Sequence, residues 1–294
     1  MHDEQALSFA CGQDRLVGVL SRPQAPGPRG VLVVVGGPQY RAGSHRQFTL
    51  LARHLANDGI PAMRFDYRGM GDSEGEAREF DDVGDDLRAA IDVFFAAVPT
   101  MREVVLWGLC DGASAVAMYA PGDARVTGLV LLNPWVRTAD GIARATLKHY
   151  YLARLRDPDF WRKLVRGRFD MAGSLQSLAG LVRAAMRPRT GDSAPGHATD
   201  SAPDDNRVPQ REPLPDRMRA GLRAFPGRVL LVVSGADLTA REFCDVADAD
   251  RHWKRLLAAQ RVTRRDIDKA DHTFSRRAWR DQVAAWTSEW VKSW

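Results

Sequence analysis

Cys110, Asp237 and His272 are residue types that together can carry out nucleophilic acyl transfer, and each stands in a context that gives it a role. Cys110 is the middle residue of Gly108-Leu109-Cys110-Asp111-Gly112, which follows the apolar run 104–107 and precedes the small-residue segment Ala113-Ser114-Ala115. A buried strand that meets Gly-x-Cys-x-Gly and then a tightly packed helix is the grammar of a nucleophile elbow, with cysteine where serine usually stands. The turn is strained and draws strand and helix close together, so Gly108 and Gly112 have to be small. It also leaves the Asp111 N–H at a helix N-terminus, able to donate to an oxyanion forming beside the Cys110 sulfur. Cysteine is equally at home in a core, so the elbow gains its weight from its partners.

A cysteine nucleophile needs a base, and the base needs an orienting group. Of seven histidines, His272 is the one in a loop after a late strand, within Lys269-Ala270-Asp271-His272-Thr273-Phe274. Asp237 follows the preceding core strand at a Gly-Ala-Asp corner. Asp266, Asp268 and Asp271 are rivals for the acid, but they lie too close to His272 in sequence to be a strand-end partner. A second oxyanion donor is expected from Gly36-Gly37-Pro38-Gln39-Tyr40, the loop after an early strand. Pro38 has no N–H, which leaves Gly37 or Gln39, Gly37 being preferred; paired glycines also simply make a tight turn. No cofactor or metal is called for, since Cys11, Cys110 and Cys244 match neither a disulfide framework nor a zinc-ligand spacing.

The elements that must hold these residues alternate regularly. Residues 7–10 and 16–20 around a Gly12-Gln13-Asp14 turn read as an antiparallel hairpin. The β-branched run 31–35 reads as a strand covered on both faces, 60–66 as the next and 104–109 as the elbow strand. Between them, 46–59 carries Phe48, Leu51 and Leu55 at helical spacing, and 81–98 carries Val83, Leu87, Ile91, Phe94 and Phe95 behind an acidic first half. The glycine-dense loop 67–75 implies positive φ and is read as structural, since it lacks the Lys-Ser/Thr ending of a phosphate loop. Strands at 126–134 and 228–235 and a weak edge strand at 261–267 continue the sheet; 250–260 is a helix, and a last helix over 276–294 carries Trp279, Val283, Trp286 and Trp290. The fold class is α/β, a mostly parallel sheet with helices on both faces and functional loops at the strands' C-terminal ends.

Residues 136–225 break this alternation. They read as a helical lid inserted between core segments 1–135 and 226–294, with 187–216 polar, rich in Pro, Gly, Asp and Ser, and expected to be disordered or a long loop. Lid arginines 144, 154, 156, 162, 166, 168 and 183 could receive an anionic substrate or carrier, or simply form a solvated face. The net charge of +5 is modest for 294 residues, and with no recognition helix or aromatic RNA-binding motif a nucleic-acid partner is not expected. No apolar stretch reaches the ~18 residues of a membrane span, and the polar start Met1-His2-Asp3-Glu4-Gln5 is unlike a signal peptide. A cytoplasmic protein is therefore expected, in a compartment that keeps a thiol reduced.

Taken together the chain resembles an α/β-hydrolase, and more narrowly the exosortase A system-associated hydrolase 1 family. The resemblance is carried by Gly36-Gly37-Pro38-Gln39-Tyr40-Arg41-Ala42-Gly43-Ser44-His45-Arg46, Phe65-Asp66-Tyr67-Arg68-Gly69-Met70-Gly71-Asp72-Ser73, Trp107-Gly108-Leu109-Cys110-Asp111, Ser234-Gly235-Ala236-Asp237-Leu238-Thr239-Ala240 and Asp271-His272-Thr273-Phe274. It implies a bacterial protein encoded near exopolysaccharide and protein-sorting functions, and it implies no substrate. Two departures from the wider superfamily stand out: Cys110 in place of serine, and Val35 where a histidine often precedes Gly-Gly-Pro. The expected chemistry is hydrolysis of an ester or thioester on a small molecule or acyl carrier, through a Cys110–His272–Asp237 triad, with Gly37 and Asp111 as oxyanion donors. An acyltransferase would share every one of these residues, and an inactive binding protein would keep the fold with Cys110 as a relic. The oligomeric state is not legible.

Overall fold

The computed structural model describes residues 2–37, 39–136 and 212–294. Nearly all of them belong to one compact unit, Met1–Val136 with Arg217–Trp294. Most of the expected lid, with its arginines and most of the polar tract, lies outside the described residues.

The strands are β1 His2–Cys11, β2 Asp14–Pro23, β3 Arg29–Val34, β4 Ala62–Asp66, β5 Glu103–Leu109, β6 Val126–Leu132, β7 Arg228–Ser234 and β8 Val262–Ile267. They form one sheet in the order β1-β2-β4-β3-β5-β6-β7-β8. β2 is antiparallel to β1 and β4, and from β4 to β8 every pairing is parallel. β4 is buried throughout, and β3, β5 and β7 are buried except at their first residues, as strands with helices on both faces must be. β8 closes the sheet as the expected edge strand; its exposed Arg264, Arg265 and Asp266 discourage pairing with another chain.

The helices are α1 Gln47–Asn57, α2 Gly84–Ala97, α3 Asp111–Tyr119, α4 Leu214–Ala224, α5 Leu238–Ala249, α6 Arg251–Leu257 and α7 Arg277–Val291. One core cluster joins Phe48, Leu51 and Leu55 of α1 to Val105, Trp107, Val130, Leu230 and Val232 of the sheet and to Val283 and Trp290 of α7, with Trp279 and Trp286 packed against it. The tryptophan stripe is therefore packing. Arg29 fixes the end of α7: its guanidinium donates to the carbonyls of Val291 (2.6 Å) and Trp294 (2.7 Å) and pairs with Glu103.

Three differences from the sequence reading have local causes. Arg46 is not the first residue of α1 but its left-handed N-cap, at φ 60° after His45 at φ 53°. Residues 214–216, expected in the polar tract, begin α4, whose Pro215 sits in the first turn, where its missing N–H costs nothing. α5 was not foreseen; Asp237 caps it, accepting from the N–H groups of Thr239 (3.2 Å) and Ala240 (3.0 Å). Among the described residues no helix is long and apolar enough to cross a membrane.

Candidate active site

Cys110 links β5 to α3 with φ 61° and ψ −125°, a conformation that costs a non-glycine residue free energy and persists only where the surroundings impose it. The surroundings here are two glycines. A Cβ on Gly108 would lie 2.5 Å from the backbone of Gly112, and one on Gly112 would lie 2.7 Å from the Val34 carbonyl oxygen. Strand, helix and the end of β3 thus pass at glycine distance, as the motif requires. The Cys110 side chain is half-buried at the C-terminal edge of the sheet.

The structure brings Cys110, His272 and Asp237 together. His272 Nδ1 and Asp237 Oδ2 are 2.8 Å apart, so the other ring nitrogen is the one left for Cys110. Hydrogen bonds to the Asp237 carboxylate and then to the Cys110 side chain push the His272 pKa up to about 10, against burial, which lowers it. Asp237 is buried and does two jobs, accepting from the first turn of α5 and from the imidazole. Two of the three rival carboxylates are engaged elsewhere: Asp266 pairs with Arg264 (2.8 Å), and Asp271 accepts from the N–H (2.9 Å) and hydroxyl of Ser275.

The oxyanion side is arranged differently. Gly37, at φ 57°, donates its N–H to Oδ2 of Asp111 at 2.7 Å, and Gly112 donates to Oδ1 at 3.0 Å. The backbone N–H of Asp111 also faces its own carboxylate. Burial raises the Asp111 pKa, and these N–H groups oppose the rise. Both expected donors, Gly37 and Asp111, therefore point at the carboxylate of Asp111. The Gln39 carboxamide oxygen accepts from the Ser44 N–H at 3.2 Å.

The loop 67–75 supports this edge without joining it. Asp66, fully buried, accepts from the Arg41 N–H (2.6 Å), the Arg41 guanidinium and the Asp72 N–H (3.2 Å), and Gly69, Gly71 and Gly75 take the positive φ expected of them.

Two features escaped the sequence reading. One is the Asp111 side chain, since the motif gave that residue a role through its N–H alone. The other is Asn133, expected inside the strand 126–134, which instead follows β6 at φ 43° and is fully buried; the Asn-Pro step closing that run is its only sequence signal. Among the described residues no group of three or more His, Cys, Asp or Glu could hold a metal ion.

The model of the family described as Serine aminopeptidase, S33, matches residues 26–173. Among solved structures, the esterase Pf2001 of Pyrococcus furiosus is similar at TM-score 0.64 and 13% identity, over 100% of this chain and 93% of that one. Est1E of Butyrivibrio proteoclasticus, solved with ferulic acid bound, is similar at TM-score 0.58 and 15% identity, over 98% and 96%. A dienelactone hydrolase of Anabaena variabilis is similar at TM-score 0.57 and 16% identity, over 98% and 96%. At these identities the likeness speaks for the α/β-hydrolase fold. No curated protein matches the chain.

Proposed function

The chain belongs to the Serine aminopeptidase, S33, family of α/β hydrolases, and from that premise we propose that it is an acyl hydrolase working through cysteine rather than serine, on an ester or thioester. The observation that supports this reading is the hydrogen-bonded line from Asp237 through His272 to Cys110 on a strained elbow. An imidazole whose pKa is pushed up to about 10 holds its proton at neutral pH, and an imidazolium beside a thiol favours the thiolate.

The Cys110 thiolate attacks the acyl carbon, and the carbonyl π electrons move onto oxygen. The N–H groups of Gly37 and Asp111 take that oxyanion once the Asp111 carboxylate has turned away from them. As the intermediate collapses, the bond to the leaving alcohol or thiol breaks and His272 gives the leaving atom its proton. Neutral His272 then takes a proton from water, whose oxygen attacks the thioester, and the acid departs as the thiolate and imidazolium return. A thiolate leaves a tetrahedral intermediate more readily than an amine does, so esters, thioesters and lactones suit this site better than unactivated amides. The substrate is a small or carrier-bound acyl compound, the compartment is the reducing cytoplasm, and the motif residues around the site support a place in bacterial exopolysaccharide and exosortase systems.

The test is iodoacetamide labelling of wild type, Cys110→Ser and His272→Ala across pH, read by mass spectrometry, followed by turnover of p-nitrophenyl acetate and an acetyl thioester. Cys110 is expected to label ahead of Cys11 and Cys244, and its apparent pKa to rise when His272 is removed. A Cys110 that reacts like an ordinary thiol with or without His272 would overturn the proposal.

A further inference from the structure

The segment after β6 touches the nucleophile, the base and the strand before the acid. The Cys110 N–H donates to the Leu132 carbonyl at 2.9 Å, and the Trp135 N–H donates to the Cys110 carbonyl at 3.2 Å. Between those contacts stands Asn133. Its N–H donates to the Val232 carbonyl at 3.1 Å, and its Oδ1 accepts from the Ser234 N–H at 2.8 Å. Its Nδ2 donates to Ser234 Oγ at 2.9 Å and to the His272 carbonyl at 3.0 Å. The Ser234 hydroxyl in turn donates to the Asp271 carbonyl at 3.0 Å.

Every polar atom of the Asn133 side chain is thus spent on the histidine loop and the end of β7. Asn133 and Ser234 are both fully buried, so no water replaces these bonds and each has close to its full desolvated strength. A left-handed backbone is tolerated by asparagine better than by most residues, and strain of this kind persists where function needs a fixed geometry. Packing alone does not require an amide here, since an apolar side chain would fill a core position without the three polar partners this side chain has.

Resting on the acyl-hydrolase reading above, we infer that Asn133 is a positioning residue: with Ser234 it fixes the backbone of Asp271 and His272 relative to the elbow, and so sets the distance between imidazole and thiol. Its side-chain hydrogen bonds run to Ser234 and the His272 carbonyl, and it acts through the placement of His272.

Two variants test this. Asn133→Gly keeps the left-handed backbone without steric cost and deletes the amide; Asn133→Asp keeps the shape and the acceptor for Ser234 but aims a carboxylate oxygen at the His272 carbonyl. Each is expected to lower kcat on p-nitrophenyl acetate by about 100-fold, the cost of a small misplacement of a reacting group, with KM unchanged. The pH profile of Cys110 alkylation should move toward that of His272→Ala. In a His272→Ala background Asn133→Gly should cost nothing further, because the group it positions is gone. A folded Asn133→Gly with wild-type kcat and alkylation profile would overturn the inference, as would an equal loss in the His272→Ala background, which marks a role in the fold alone. If wild-type Cys110 alkylation ignores His272, it is the acyl-hydrolase reading that fails, and the two failures are distinct.

Discussion

The two halves of the site are in different states of readiness. On the proton side, Asp237, His272 and Cys110 are joined by hydrogen bonds, and the backbone beneath the imidazole is bolted to Asn133 and Ser234. On the oxyanion side, the N–H groups that would receive charge are held by the carboxylate of Asp111. For the acyl transfer proposed above, one half is preorganised and the other is occupied by a carboxylate, which bears charge of the sign that reaction would create. The difference teaches that a motif can place a donor correctly while its own side chain decides whether the donor is free.

The harshest way to break the comparison is to remove the base. His272→Ala should lower kcat by about 10²–10⁴-fold, the usual worth of positioned acid–base catalysis, measured by steady-state kinetics on an activated ester. A loss within a few-fold would mean that the prepared half contributes nothing, and the contrast would collapse.

Asp237→Asn sharpens the same half through pH. The carboxylate is the first cause of the raised His272 pKa, so its imidazolium keeps its proton up to about pH 10, and kcat/KM should hold on the basic side to near that value. With the amide in place the basic limb should shift to lower pH while the acidic limb stays. Profiles with the same basic limb in both proteins would dissociate Asp237 from the base.

Much of this was legible in the chain. Gly108 and Gly112 flanking Cys110 announce a close strand–helix crossing, and the order Cys110, Asp237, His272 along successive strand ends selects the residues that meet. The β-branched runs at 31–35 and 228–234 could hardly be anything but buried strands. α5 was hidden because Asp237 was read for its acid chemistry, whereas its cap role is what starts the helix. Asn133 and the Asp111 carboxylate were illegible for a different reason: each acts through a partner more than sixty residues away, Asn133 on Ser234 and His272, Asp111 on Gly37. No local pattern encodes such a contact.

Asp111→Asn probes the occupied half. The amide oxygen can still accept from Gly37, but the charge is gone, and a neutral bond is weaker than a charged one by about 1 kcal/mol. An oxyanion should displace it more cheaply, and kcat at neutral pH should rise by about fivefold. Protonation does the same to wild type: the raised Asp111 pKa means that the advantage of the variant should shrink as pH falls through it. The folded pKa lies above the unfolded one, so ionised Asp111 costs stability at neutral pH, and the variant should also melt higher there. A variant slower than wild type would show that the carboxylate takes part in the reaction.

The smallest effect is on stability, and it again separates the halves. His272 has an ordinary pKa of 6.5 and a folded value of about 10; the fold favours the protonated form, so its contribution is complete below 6.5 and fades as pH rises toward 10. The ring is about a third exposed, at 32%, so solvent screening keeps the contribution modest. Comparing thermal midpoints of wild type and Asp237→Asn isolates it. The cap that Asp237 provides to α5 involves backbone N–H groups that do not titrate in this window, whereas the ion pair with His272 decays. The difference in midpoint should therefore be largest near pH 6 and fall to a plateau by pH 10, the plateau being the cap alone. A difference that stays flat across that range would mean that the imidazole and the carboxylate are neighbours without being coupled.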